Sequence, residues 1–202
     1  PICGSHVVDP STQARAVIVT HLDNGLKCEC TYQQRTKPVF MDSLARTVAH
    51  LINSIPHGSL VFCPSYAFLK DLFFKVRETK LIDFRRKTLY LETAGNSSGS
   101  GGNNNTDQKS FLDTMEKYRR DGENKSSCLM CVYRGKVSEG INLPDNLSRG
   151  VICVGIPLRM TTEPAVCAQR SYMSGSNWYS NDALVAVNQA IGRALRHKRD
   201  YG

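Results

Sequence analysis

Gln189, Arg193 and Arg196 are spaced by four and three residues, so on a helix they project from one face. Two guanidinium groups so arranged suit phosphate, because the planar fork stays charged and engages two oxygens at once. Gly192, immediately before Arg193, costs about 1 kcal/mol of helix propensity relative to alanine, which is tolerable where a backbone or a phosphate must come close. The plain alternative for any Arg-x-x-Arg pair is a solvated helix face. A second group, Tyr133 to Asn142 (YRGKVSEGIN), puts small and polar residues directly behind an apolar run. There the backbone can approach a nucleotide or a sugar-phosphate chain, with Lys136 and Ser138 as donors. A third, Cys63 to Tyr66 (CPSY), places the Ser65 hydroxyl and the first amides of a following helix where they either grip a phosphate or simply cap the helix. Tyr66, Trp178 and Tyr179 have faces that suit base stacking, or else pack in the core or at its rim.

These residues need a frame. Apolar strand-like runs alternate with segments of helical period, the pattern of an α/β domain with a mostly parallel sheet and helices on both faces. Strands are expected at Val17 to Thr20, Lys27 to Tyr32, Leu60 to Cys63, Thr88 to Glu92, Cys128 to Val132 and Gly150 to Gly155. Leu60 to Cys63 is short and wholly apolar, as a strand buried on both faces would be. A helix capped by Asp42 carries Leu44, Val48, Leu51, Ile52 and Ile55 until Pro56 and Gly58 stop it. The helix after Pro64-Ser65 buries Leu69, Leu72, Phe73 and Val76, and another carries Phe111, Leu112, Met115 and Tyr118. The closing helix is predicted from near Asp182 to Arg196, with Leu184, Val187, Ile191 and Ala194 or Leu195 turned to the core. Residues 95–106 are almost entirely Gly, Asn and Ser, which cannot bury apolar area and are expected to form a mobile surface loop. In such a sheet, ligands bind at the carboxyl ends of the strands, where all three chemical segments fall.

The chain's 202 residues suffice for one core, and a single domain over 1–202 is expected. A net charge of +8 favours a phosphate-rich partner over an acidic substrate pocket. The eight cysteines sit largely in apolar runs and read as packing in a reducing compartment. Cys128 and Cys131 have the spacing of half a zinc site, but Cys28 and Cys30 do not supply the other half, so no metal is expected. No run approaches the ~20 apolar residues of a membrane span, and no leader pattern is present, so a soluble intracellular protein is expected.

Taken together, LVFCPSY, RGKVSEGIN and QAIGRALRHKRDYG resemble motifs IV, V and VI of the XPD-type superfamily 2 DNA helicases. That family includes the xeroderma pigmentosum group D and Fanconi anaemia group J proteins. GVICVGIPLR and NWY fall in the expected places, and the resemblance runs from about His6 to Gly202. It implies the second, C-terminal RecA-like motor domain of an enzyme that couples ATP hydrolysis to 5′-to-3′ movement on single-stranded DNA in repair. The first RecA-like domain would supply the P-loop, the Mg²⁺-binding acidic motif and an iron-sulfur cluster. By the same resemblance, Arg193 and Arg196 reach the triphosphate, at least one as an arginine finger. Gln189, Glu139, Gly140 and Asn142 line the nucleotide cleft, and Ser65, Tyr66, Arg134, Lys136 and Ser138 face the DNA backbone. Residence in the nucleus also follows from the family. Asn142 stands where the family usually has aspartate, which keeps an acceptor but loses its charge. Leu143-Pro144 replaces the family's usual aromatic stretch, and the Gly/Asn/Ser insertion is a further departure.

A RecA-like module retained only to bind nucleic acid or protein is the rival reading, and an RNA helicase would share the backbone-gripping chemistry. The P-loop pattern of Gly, four residues and Gly-Lys-Ser/Thr is absent from the sequence. This chain by itself should therefore show background ATP hydrolysis, while binding single-stranded DNA weakly and ever less tightly as salt rises. Phosphate release and fluorescence anisotropy across a salt series check both halves; robust hydrolysis contradicts the first.

Overall fold

The strand Ser59–Cys63 (β1) is buried at every position, and the sheet is assembled around it. The computed structural model describes residues 9–93, 104–143, 145–173, 176–195 and 197–202. Lys87–Leu91 (β2), Ser126–Val132 (β3) and Gly150–Cys153 (β4) complete a sheet in the order β2-β3-β1-β4. Every pairing is parallel, with Cys63 beside Val132 and Phe62 beside Cys153. Alternation along the strands sorts side chains between two cores: Val61 and Cys63 go to one face, Leu60 and Phe62 to the other. Cys128 and Cys131, three apart on β3, consequently lie in opposite cores.

Pro38–Ser54 (α3) and Tyr66–Glu78 (α4) cover the first face. In α3 the buried positions Phe40, Met41, Leu44, Ala45, Val48, Ala49 and Ile52 follow the helical period. Its end is closed by Lys87, which is buried and donates from Nζ to the carbonyls of Ile52 and Ile55, both at 2.6 Å. Burial holds that amine below its ordinary pKa. Asn104–Asn124 (α5) and Ser176–Ile191 (α8) cover the second face. Tyr118 of α5 is fully buried and donates to the carbonyl of Leu147, pinning the helix across the sheet.

Several expectations need correction. Val17 to Thr20 and Lys27 to Tyr32 are not strands: only an isolated antiparallel bridge joins His21 to Lys27. Val17 and Ile18 are exposed, and single helical turns stand at Pro10–Gln13 (α1) and Tyr32–Arg35 (α2). α3 begins four residues before Asp42, because Pro38 supplies a ready-made first-turn φ. α8 starts before Asp182 and ends at Ile191, short of the arginines; it packs on Ala183, Ala186 and Ala190, leaving Leu184 and Ile191 exposed. Of the stretch expected as a loop, 95–103 lies outside the described residues and the last three open α5. Pro144 and Arg196 also lie outside them.

The tail behind α8 is fastened to the foot of β4 by a buried ion pair between Arg149 and Asp200, whose side chains are 7% and 1% exposed. Arg149 also donates to the carbonyl of Tyr201 at 3.0 Å and lies 4.0 Å over its ring. Removing one partner strands the other charge in the interior, so Arg149→Ala should lower stability by about 3–5 kcal/mol. Arg149→Met combined with Asp200→Leu should recover much of that loss. Urea unfolding of the two variants beside the parent decides; equal losses in the single and double variants would show that packing, not charge, holds the tail.

Candidate functional site

Parallel strands joined by right-handed crossovers place successive helices on opposite faces when the direction of winding reverses. Here the chain leaves β1 through α4 on one face and leaves β3 through Lys136–Gly140 (α6), which packs toward α8 on the other. Between the carboxyl ends of β1 and β3 the covering layers part, the place where open α/β sheets bind ligands. A crevice of about 390 Å³ lies there, lined by Pro64, Ser65, Tyr66, Tyr133, Arg134, Gly135, Lys136 and Glu139.

One wall is the start of α4. Ser65 is exposed and caps the helix, its hydroxyl oxygen accepting from the Phe68 amide at 3.3 Å. Tyr66 is half-buried, and burial together with the nearby Glu92 carboxylate pushes its phenol up to about 12, so at neutral pH it is a hydrogen-bond donor. The other wall is the β3–α6 turn. Arg134 adopts a left-handed backbone, φ 59°, which swings its side chain back into the fold. Its guanidinium donates to the Pro157 carbonyl at 2.8 Å, to the Asp182 carbonyl at 3.0 Å and to the Asp182 carboxylate at 2.5 Å. Lys136 is exposed, its ammonium 4.8 Å above the Phe111 ring.

The sequence-predicted residues therefore divide. Ser65, Tyr66 and Lys136 meet at the crevice, and Glu139, expected with the nucleotide group, joins them. Ser138 does not face out: it is fully buried. Arg134 is occupied within the fold and fixes the β3–α6 turn to the first half of α8. Gly140 and Asn142 are exposed at the far end of α6, and the Asn142 carbonyl accepts from Arg119 at 3.3 Å. Gln189 is exposed on α8. Arg193 stands in the turn after that helix and outside the crevice, half-buried, donating to the Ile141 carbonyl at 3.3 Å. Arg193 is thus anchored at the exit of α6, and its expected companion Arg196 lies outside the described residues. Of the candidate stacking residues, Tyr179 donates to the Arg159 carbonyl and lies 4.9 Å beneath the Arg170 guanidinium.

The sequence reading missed Glu92. It directly follows β2, is 2% exposed, and accepts from the Val132 amide at 2.9 Å. A carboxylate closing a strand at the ligand edge was the available signal.

Residues 48–202 match the family model of the helicase C-terminal domain. The chain belongs to that family. It is 36% identical over 211 residues to the Drosophila mojavensis homologue of regulator of telomere elongation helicase 1, covering 98% of this chain and 20% of the relative. The Aedes aegypti homologue is 35% identical over 213 residues, again covering 98% of this chain and 20% of the relative. The chain thus spans about a fifth of the length of these curated relatives. Among solved structures, an XPD helicase superposes with a TM-score of 0.54 at 23% identity, covering 86% of this chain and 28% of the other. An apo XPD structure gives 0.52 at 24% identity, covering 86% and 32%. The likeness shows the RecA-like fold. No helix among the described residues is long and apolar enough to cross a membrane.

Burial raises the Glu92 carboxyl above its ordinary value of 4.5, against the opposing pull of nearby backbone amides and Lys136. The folded chain then holds this proton more tightly than the unfolded chain, so the residue's contribution to stability is greatest at low pH and is lost as pH rises through the folded pKa. Glu92→Gln has no such proton. Its stability relative to the parent protein should increase between about pH 4 and neutrality, read from urea midpoints at each pH. A difference that does not change with pH would mean the carboxyl titrates alike in both states.

Proposed function

We propose that this chain is the C-terminal motor domain of an ATP-dependent DNA helicase moving 5′ to 3′ on single-stranded DNA. The observation that carries the reading is the position of α6. One end of this short helix offers Lys136 to the crevice, and Arg193 is anchored just past the other, at Ile141. A displacement of α6 therefore moves both groups together, as coupling between a nucleotide and a strand requires.

In this mechanism the DNA backbone runs along the crevice, against the Ser65 hydroxyl, the Tyr66 phenol and the Lys136 ammonium. Such contacts bind phosphate without reading sequence. Arg134 acts at one remove, by holding the turn that carries Lys136. The triphosphate lies between this domain and the first RecA-like domain, bordered here by Gly140, Asn142, Gln189, Arg193 and Arg196. The bond from Arg193 to Ile141 orients its fork before phosphate arrives, and Arg193 or Arg196 serves as the arginine finger that stabilises charge developing on the γ-phosphate. ATP is the substrate; the P-loop and Mg²⁺ ligands come from the first domain. The iron-sulfur cluster that the family resemblance implies would likewise be supplied by the first domain. Action in DNA repair and residence in the nucleus complete the proposal.

In the full-length protein, Arg193→Ala and Arg196→Ala should each be tested for DNA-stimulated ATP hydrolysis. The variant that removes the finger should lose about 10³-fold or more in kcat while retaining DNA binding. Normal hydrolysis by both would remove the motor reading and leave a nucleic-acid-binding module.

A further inference from the structure

A buried carboxylate is costly unless its oxygens are used. Glu92 sits at the floor of the crevice without opening into its lining, and it reaches both walls. Toward the β3–α6 turn, Oε2 accepts from the Val132 amide at 2.9 Å. Oε1 faces the opening amides of α6, at Lys136 and Val137, and no hydrogen bond closes on it. Toward α4, the carboxylate interacts with the Tyr66 phenol. Gly135 rides directly on this group: a Cβ there would lie 2.8 Å from Oε1, 3.0 Å from Oε2 and 2.7 Å from the Val132 side chain. The backbone of the turn is thus seated on Glu92 from above, and the tyrosine leans on it from the side.

We infer that Glu92 is a positioning residue, holding Tyr66 and the Gly135-Lys136 turn at the separation that a single-stranded phosphate backbone requires. The inference rests on the crevice being the seat of the strand. An ionised carboxylate only accepts, which suits a residue surrounded by backbone amides and a phenol. Glutamine has nearly the same shape but must turn an NH₂ group toward one of those donors. Glu92→Gln therefore changes the spacing of the walls without emptying the site.

The test uses the full-length protein and a single-stranded oligothymidylate. For Glu92→Gln, the DNA concentration giving half-maximal ATP hydrolysis should rise about five-fold or more, the consequence of one disturbed hydrogen-bonding group. The rate at saturating DNA and the KM for ATP should change less than the DNA dependence, because Glu92 touches the Lys136 end of α6 and not the Ile141 end that holds Arg193. Glu92→Asp, which keeps the charge and withdraws it by one methylene, should fall between the two. If Glu92→Gln does not fold, the aspartate variant carries the same comparison.

Lys136→Ala is measured alongside. If it weakens DNA stimulation and neither Glu92 variant does, the positioning role is refuted and the crevice stands as the DNA site. If Lys136→Ala leaves DNA stimulation unchanged, the crevice is not the strand's seat and the inference falls with it. A Glu92→Gln protein that loses DNA affinity, saturated rate and ATP affinity together, with a lowered Tm, would show general structural damage and overturn the assignment.

Discussion

Because β1 is flanked by a parallel neighbour on each edge and covered on both faces, the chain must leave it by a crossover and return elsewhere. Right-handed connections then allow only one arrangement of helices: α4 on one face for the step to β2, α5 on the other for the step back to β3. The gap between the covering layers at the ends of β1 and β3 is the unavoidable result. Ser65, Tyr66 and Lys136 face one another because the two strands that deliver them are adjacent in register, Cys63 beside Val132. The site is thus a product of connectivity before it is a product of side chains.

What lies beyond the crevice depends on internal fastening. The left-handed Arg134 and its bonds to Asp182 tie the β3–α6 turn to α8, and the bond from Arg193 to Ile141 ties the end of α8 to the exit of α6. α8 and α6 therefore form a closed frame, joined at both ends. Below it, the Arg149–Asp200 pair secures the tail to the sheet, while His197 meets Asp145 at 3.0 Å. Of the basic residues that a linear reading assigns to external phosphate, Arg134 is held within the fold by Asp182 and Arg193 donates to a backbone carbonyl, whereas Lys136 is exposed at the crevice.

The elements that the sequence displayed well are those whose burial is complete or strictly periodic. β1 announces itself as an unbroken apolar run, and α4 by Leu69, Leu72, Phe73 and Val76, all buried. The failures have physical causes. Val17 to Thr20 has strand-forming residues, but among the described residues no strand pairs along it, and β propensity is largely a statement about neighbours. α8 misled because its inward face is mostly alanine with Val187, so the exposed Leu184 and Ile191 looked like part of the core. Ser138 and Arg134 belong to a motif whose chemistry was legible, but whether a residue points out or in depends on a single backbone angle after the strand. Glu92 was passed over because an acid at the end of an apolar run reads more readily as a solvated stop than as a group at the ligand edge. Only the adjacent β3 strand reveals that it is enclosed.

The alanine face of α8 has a mechanical corollary. Helices normally lock by setting ridges of long side chains into grooves, which resists sliding along the axis. Ala183, Ala186 and Ala190 offer few ridges to interlock with the layer beneath, so the two polar clasps, Asp182 with Arg134 and Arg193 with Ile141, supply the fixation that long side chains would otherwise give.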